Sequence, residues 1–207
     1  MIAFTQQSLL TFGTMNIIKT VAVYLGSRPG NDPKFVQNAR GLGRLLAENH
    51  IDIVYGGASV GTMKALADGA LDAGGKVVGV FPTGFKGKKD NAAAGIEVGP
   101  KGLALSQLIE VRDLPERIAT MERLSDAMIF LPGSFGTMVE AFNWMEKWQL
   151  GWGQKPAFIL NTDGYYDGLL AQFKTMIAAG FMDGDDMQFL TVCHTPETLV
   201  NTLLSKM

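Results

Sequence analysis

Apolar residues come in blocks along this chain rather than in strict alternation with polar ones. Seven short runs are continuously apolar and rich in β-branched residues, which is typical of strands covered on both faces of a parallel sheet. Longer segments of helical period lie between them. The predicted strands cover 20–27, 52–57, 76–82, 108–112, 127–133, 156–161 and 187–193, and the predicted helices cover 33–49, 60–74, 115–125, 136–149, 165–179 and 195–206, the last opened by the N-cap sequence TPET.

This alternation predicts βαβ units and therefore an α/β fold with a doubly wound, mostly parallel sheet flanked by helices. The 207 residues fit a single domain. We expect that domain at 20–207, after an N-terminal extension at 1–19. Because Met15 directly precedes the first strand-like run, we hypothesise that the residues before it are loosely ordered or follow from an upstream start.

One long segment, 83–107, has no clear period and is rich in Gly and Lys. A loop of this length in a compact domain is usually functional or mobile, so it is a candidate lid. A solvated surface excursion explains it equally well.

Composition narrows the class of function. Hydrophobic residues make up 47% and charged residues 18% of the chain, the net charge is -2, and no long basic run occurs, which disfavours a nucleic-acid partner. The single cysteine, Cys193, is expected in the core, and it fits a reducing, cytoplasmic location. No apolar stretch reaches the ~20 residues of a membrane span, and the leader lacks the basic start of a secretory signal.

Three glycine-containing turns follow predicted strands: YLGSRPG, VYGGASVGTM and LPGSFGTMVE. In a doubly wound sheet, ligands bind where strands end and helices begin. The first amides of a helix lack intrahelical partners, and the helix dipole adds positive charge there. The second and third turns also share a Gly-Thr-Met sequence, at Gly61 and Gly136. These features predict a phosphate site, although a tight structural turn remains an alternative for each.

The second and third turns both lack the spacing of a P-loop and of the dinucleotide-binding fingerprint. Ser134 and Thr137 supply hydroxyl groups at the third turn, and Thr137 has the alternative role of helix cap. Glu140 lies four residues after Gly136, about one helical turn, so its carboxylate is expected beside the mouth of the turn. Its alternative role is to offset the helix dipole.

Taken together, GSRPG, VYGGASVGTM, PERIATM, LPGSFGTMVE and QLGWGQKPAFILN resemble the Lonely Guy family of cytokinin-activating phosphoribohydrolases, from about residue 20 to the C-terminus. The most specific element is similar to the family's PGGxGTxxE motif, here Pro132 to Glu140, with Arg117 upstream. The resemblance implies a Rossmann-like fold, usually homodimeric with the site near the subunit interface. It also implies hydrolysis of the N-glycosidic bond of AMP or an N6-modified AMP such as a cytokinin riboside monophosphate, giving free base and ribose 5-phosphate.

The resemblance also implies roles for particular residues. Glu140 would stabilise the oxocarbenium-like charge at C1′ or activate water, and Arg117 would bind the phosphate or orient the nucleotide. Without the resemblance, Arg117 has the alternative of a surface pair with Glu116, Glu122 or Asp126. The phosphate would lie among turn residues, namely Gly26, Ser27, Gly57, Gly61, Gly133, Ser134, Gly136 and Thr137. No cofactor or metal is expected, because His50 and His194 lie outside the motifs.

The chain departs from the family pattern at several positions. Ala58, Thr62 and Lys64 differ from GGGxxGLMG, Ile118 replaces a lysine, and Ser134 replaces a glycine. These departures motivate a second hypothesis, a non-catalytic nucleotide-binding or carrier module. A third, the amino-acid decarboxylase activity with which the family has often been labelled, lacks a lysine in a recognisable Schiff-base context.

Three tryptophans recur every four residues, at Trp144, Trp148 and Trp152. They would share one face if the helix continued past Gly151. Core packing is the default role for that face, and a dimer contact is the alternative.

Overall fold

The computed structural model describes residues 18–83, 105–153 and 155–207. The strands are β1 (Thr20–Tyr24), β2 (Asp52–Tyr55), β3 (Val77–Pro82), β4 (Gln107–Val111), β5 (Ala127–Phe130), β6 (Ala157–Leu160) and β7 (Leu190–Cys193). The helices are α1 (Pro33–Glu48), α2 (Gly61–Asp72), α3 (Leu114–Arg123), α4 (Phe135–Gln149), α5 (Asp167–Ala178) and α6 (Pro196–Leu204). Every predicted strand and helix is therefore confirmed, with 3-10 turns added at Thr162–Gly164 and Gly184–Met187.

The strands form one parallel sheet in the order β4-β3-β2-β1-β5-β6-β7. The chain builds outward from β1 to β4 on one side, and then returns to β1 to start the other side with β5. This reversal of strand order places the ends of β1 and β5 next to each other at the topological switch point. The predicted α/β, doubly wound, single-domain fold is confirmed.

The sheet separates two hydrophobic layers. One contains α1, α2 and α6, with Leu42, Leu66 and Leu199 completely buried, and the other contains Met121 of α3 and Trp144 of α4. The central strands are buried on both faces, as their continuous hydrophobicity predicts. Cys193 is buried in the first layer, in agreement with its expected role in the core.

The prediction that all strands are buried on both faces is wrong for β7, whose Leu190, Thr191 and Val192 are half-buried, and for β4. Most residues of β4 are exposed or half-buried, and Leu108 is 37% exposed. The reason is topological: among the strands of the described residues, β4 and β7 lie at the two edges of the sheet, each beside a single neighbour. The last strand also begins later than predicted, because a 3-10 turn occupies Gly184–Met187.

Two of the three tryptophans pack on the face that their spacing predicts. Trp144 is buried and Trp148 packs against Phe189, with 4.8 Å between ring centroids. Helix α4 ends at Gln149, and Gly151 adopts a φ of 74°. Trp152 therefore lies outside the helix, away from the face of the other two tryptophans, and is 77% exposed.

Two regions named in the sequence analysis lie outside the described residues. They are most of the N-terminal extension, residues 1–17, and most of the candidate lid, residues 84–104. The domain start at residue 20 and the lid therefore stay predictions. Across the ranges that the structure covers, every helix is too short or too polar to cross a membrane.

Helices α1 and α2 make close backbone contact through two glycines. A Cβ added at Gly43 would lie 2.1 Å from the carbonyl oxygen of Leu66, and one at Gly69 would lie 2.1 Å from that of Arg40. Neither obstacle is a flexible side chain. The two helices must separate to accept any larger residue at these positions.

We therefore expect Gly69→Ala to lower the free energy of unfolding by about 1–3 kcal/mol, because overpacking forces backbone shifts. Gly41→Ala is the matched control on α1, since its added Cβ would meet only Pro196 at 3.9 Å. The control should stabilise the protein by about 0.5–1 kcal/mol, the usual gain in a helix. Urea unfolding of the two variants measures both changes in the free energy of unfolding. Equal changes in the two variants would contradict the close backbone contact of α1 and α2 at Gly69.

Candidate active site

The three glycine-containing turns meet at the carboxyl edge of the sheet. Strands β1 and β5 are in register, with Tyr24 opposite Phe130. Beyond the strands, the N–H of Gly26 donates to the carbonyl of Pro132 at 3.2 Å, which joins the first turn to the third. The hydroxyl of Thr62 donates to the carbonyl of Gly26 at 2.7 Å, which joins the second turn to the first. These hydrogen bonds make the turns a single structural unit.

A cavity of about 310 Å³ opens where the turns meet. Its walls come from the ends of β1, β2 and β3 and from the facing sides of α2, α3 and α4. The lining residues are Leu25, Gly26, Ser27, Gly56, Ala58, Met63, Phe81, Leu114, Arg117, Ile118, Ser134, Phe135, Gly136, Thr137, Val139 and Glu140.

Helix α4 begins at this cavity. The N-cap residue is Ser134, and its side chain makes no capping hydrogen bond. Thr137 lies inside the first turn of the helix, so the alternative that Thr137 is the cap is wrong. The first-turn amides of a helix have no intrahelical acceptors, and the helix dipole places partial positive charge among them. Ser134, Gly136 and Thr137 all line the cavity. An anion is therefore favoured at this end of the cavity.

Arg117 and Glu140 form an ion pair inside the cavity, between an Arg117 guanidinium N–H and Oε1 of Glu140. Their side chains are only 13% and 4% exposed. Helix α3, capped by Asp113, carries Arg117, and one turn of α4 brings Glu140 to the same place. The ion pair and the low exposure of both side chains hold the two groups against each other.

The alternative of a surface pair for Arg117 is wrong. Glu116 pairs instead with Arg112 at 2.9 Å and Glu122 pairs with Lys147, while Asp126 accepts from two backbone amides at the start of β1. Nε of Arg117 is buried and finds no hydrogen-bond partner within the described ranges.

Two opposing effects act on the pKa of the Glu140 carboxyl. Burial raises the pKa of this carboxyl above that of an ordinary glutamate, and the Arg117 cation offsets only part of the rise. A carboxyl with a raised pKa beside a fixed cation, within a cavity, is typical of functional sites.

Three of the predicted phosphate-binding glycines do not line the cavity. Gly57 has a φ of 75° and packs on β3, and Gly61 has a φ of 54° with its α-carbon against the backbone of Ser27. A Cβ at Gly133 would lie 2.1 Å from Oγ1 of Thr137. Each of these glycines is explained by close packing of the turns. Gly26 and Ser27, by contrast, do line the cavity.

The departures from the family pattern divide into two groups. Thr62 joins the second turn to the first, and Lys64 pairs with Asp68 at 2.6 Å on the surface. Ala58, Ile118 and Ser134 line the cavity. Only the second group alters the surface that a ligand would meet.

An apolar wall of the cavity was missed by sequence reasoning. It comprises Met63, Phe81, Leu114, Phe135 and Val139. The signal available in the sequence was the spacing of Phe135 and Val139, two apolar residues at i and i+4 in the helix that carries Glu140. In the structure their side chains are 89% and 59% exposed. This wall suits a planar, weakly polar group such as a nucleobase.

Among the described residues, the cavity offers little to a metal or to pyridoxal chemistry. The part of the chain that the structure describes contains no group of three His, Cys, Asp or Glu side chains able to hold a metal ion. None of the residues that line the cavity in this described part is a lysine. The residues present therefore do not fit a cofactor held as a Schiff base.

Comparison with known proteins points in one direction. The family model described as "Possible lysine decarboxylase" matches residues 63–203. A cytokinin riboside 5′-monophosphate phosphoribohydrolase of Rhodococcoides fascians is 37% identical, over 90% of this chain and 90% of that protein. A probable enzyme of the same name from Oryza sativa subsp. japonica is 39% identical, over 88% of this chain and 78% of that protein.

The fold also matches a solved structure, the molybdenum cofactor binding protein of Rippkaea orientalis. It has a TM-score of 0.65 and 22% identity, over 90% of this chain and 95% of that chain. At this identity the likeness concerns the fold alone.

Proposed function

Because the chain belongs to the Lonely Guy family of cytokinin riboside 5′-monophosphate phosphoribohydrolases, we propose that it hydrolyses the N-glycosidic bond of a nucleoside 5′-monophosphate. The products are the free base and ribose 5-phosphate, and the substrates are AMP or N6-modified AMP such as a cytokinin riboside monophosphate. The observation that carries the proposal is the buried Arg117–Glu140 pair in a cavity that also receives the start of α4.

The two ends of the cavity match the two ends of such a substrate. The 5′-phosphate is assigned to the first turn of α4, with Ser134, Gly136 and Thr137, and to the adjoining Gly26 and Ser27. The base is assigned to the apolar wall. In this arrangement the ribose lies between them, beside the ion pair.

Breaking the C1′–N bond builds positive charge on the ribose. The Glu140 carboxylate stabilises that charge and activates the attacking water, as carboxylates do in other glycoside hydrolyses. Arg117 lowers the pKa of the Glu140 carboxyl and so favours its ionised form, and its guanidinium can donate to substrate oxygens. The low exposure of the pair strengthens both effects, because fixed charges act more strongly where water is excluded.

A homodimer is proposed from an exposed apolar face on α4. Phe135, Val139 and Phe142 are 89%, 59% and 40% exposed. They border a groove of about 640 Å³ whose other walls include Met138, Met145, Met176, Met182 and Met187. Phe135 and Val139 line both the groove and the cavity, so a second copy of the chain seated here would cover the base end of the site.

A cytoplasmic location is part of the same proposal. The sequence has one cysteine, Cys193, which is buried in the core. This usage is compatible with a reducing compartment.

Glu140→Gln should reduce kcat by about 10²–10⁴-fold, because it removes the carboxylate while keeping its shape. The assay is release of adenine from AMP and of N6-isopentenyladenine from the corresponding monophosphate, resolved by chromatography. Glu48→Gln is the control, since Glu48 is exposed on α1 and pairs with Arg44.

Full activity of the Glu140 variant would contradict the role of this carboxylate. Thermal stabilisation of the wild-type protein by AMP with no product from either substrate would instead support the non-catalytic carrier.

The pH dependence of kcat/KM should reflect the raised pKa of Glu140. Its acid limb is expected above the value of about 4.3 at which an ordinary glutamate titrates, because burial favours the protonated form. Arg117→Met removes the cation that opposes this shift, so the acid limb of that variant should move to still higher pH. Initial rates across pH 4–9 measure the acid limb of the wild-type protein and that of the Arg117→Met variant. A limb that moves to lower pH in the variant would contradict the assignment.

Phe142→Glu should convert the dimer to a monomer, because a desolvated carboxylate would face the apolar groove. Leu108→Glu, on edge strand β4, is the control and should remain dimeric. Light scattering coupled to size-exclusion chromatography measures the mass of each. A wild-type protein that is monomeric at micromolar concentration would refute the proposed homodimer.

A further inference from the structure

Three carbonyl groups of the turn between β5 and α4 accept hydrogen bonds from other segments of the chain. The carbonyl of Leu131 accepts from the hydroxyl of Tyr166 at 2.6 Å. That of Pro132 accepts from the N–H of Gly26 at 3.2 Å. The hydroxyl of Tyr165 donates to the carbonyl of Gly133. The carbonyl of the next residue, the helix N-cap, enters α4 by accepting from the N–H of Met138 at 3.1 Å.

The two tyrosines come from the segment that follows β6, which is itself well anchored. Asp163 has a φ of 49°, and its carboxylate pairs with Lys34 at 2.7 Å. The side-chain amide of Asn38 donates to the hydroxyl of Thr162 at 3.0 Å. These contacts attach the segment to α1, so it is a fixed support rather than a free loop.

The ring of Tyr165 is held on both sides. It packs edge-on against Phe35, with 5.9 Å between centroids, and edge-on against Tyr166, with 5.1 Å. Its hydroxyl therefore reaches the carbonyl of Gly133 from a ring whose position is already set. A hydrogen bond from a preorganised donor restrains the peptide that accepts it.

That restraint has a consequence for the amide side of the turn. In a trans peptide, the carbonyl of one residue and the N–H of the next point in opposite directions. Holding the carbonyl of Gly133 toward Tyr165 therefore directs the N–H of Ser134 away from the tyrosine. This is the amide that precedes the free N–H groups of α4, and Ser134 lines the cavity.

We propose that Tyr165 is a positioning residue, which orients the peptide between Gly133 and Ser134 so that the start of α4 binds the 5′-phosphate. This inference rests on the proposed function and deepens it. Tyr165 acts through the turn rather than on the reacting atoms.

Tyr165 and Tyr166 are distinguished by their burial. Tyr166 is 2% exposed and supports the buried end of β5, so its hydroxyl stabilises the fold. Tyr165 is 46% exposed, and water can replace its hydroxyl at the carbonyl of Gly133. Loss of the Tyr165 hydroxyl should therefore affect the geometry of the turn more than the stability of the protein.

The test compares three tyrosine-to-phenylalanine variants by calorimetric binding of ribose 5-phosphate and of adenine, with thermal unfolding of each variant. Tyr165→Phe should raise the Kd of ribose 5-phosphate by about 3- to 10-fold, the range set by one net hydrogen bond, and leave the Kd of adenine and the Tm nearly unchanged. Tyr166→Phe should lower the Tm. Tyr55→Phe should leave both Kd values unchanged and raise the Tm slightly, because the Tyr55 hydroxyl is buried without a partner within the described ranges and its removal ends an uncompensated desolvation cost.

An unchanged Kd of ribose 5-phosphate in Tyr165→Phe would overturn the proposal, and so would an equal weakening of adenine, since that would indicate a general disturbance. The selective weakening of ribose 5-phosphate supports it. These binding measurements do not depend on turnover. If the wild-type protein released no base but the selective change in Kd appeared, the proposed hydrolysis would fail and the positioning role would stand.

Discussion

Pairing between β1 and β5 is the interaction on which the site depends. The register that places Tyr24 opposite Phe130 continues beyond the strands, through the hydrogen bond from Gly26 to Pro132. This contact exists only because the order of strands reverses here, so that two turns far apart in sequence leave the sheet side by side. One turn then supplies the start of α4, and the other supplies the wall that faces it. A shift of register would separate them.

The ion pair beside these turns is better understood as functional than as stabilising. Taking a carboxylate and a guanidinium out of water costs several kcal/mol for each ion, and their attraction seldom returns more than this. The raised pKa of Glu140 has the same origin, since burial outweighs the effect of Arg117. A fold that needed only stability would place apolar side chains between α3 and α4. The proposed hydrolysis requires a negative charge held in place before the ribose becomes positive, and in that proposal the Glu140 carboxylate supplies it.

The sequence pattern predicted the larger features because each is a local property. Continuous apolar runs identified the strands, and the spacing from Gly136 to Glu140 placed the carboxylate one turn into α4. Arg117 was identified only through resemblance to a family, since no local feature relates α3 to α4. Strand β4 was misjudged because edge position depends on the order of strands. The tyrosine support of the turn was missed for a similar reason: Tyr165 is 32 residues from Gly133 in sequence.

The two Gly-Thr-Met sequences show why a repeated pattern is weak evidence for a repeated role. At the start of α2, Gly61 has a positive φ and no room for a side chain, because its α-carbon lies against the backbone of Ser27. Thr62 fastens that helix to the first turn. At the start of α4, an added Cβ at Gly136 would meet none of the described residues within 4 Å. The first glycine is required by packing, whereas the second leaves open space at a helix N-terminus, which is the feature that a phosphate needs.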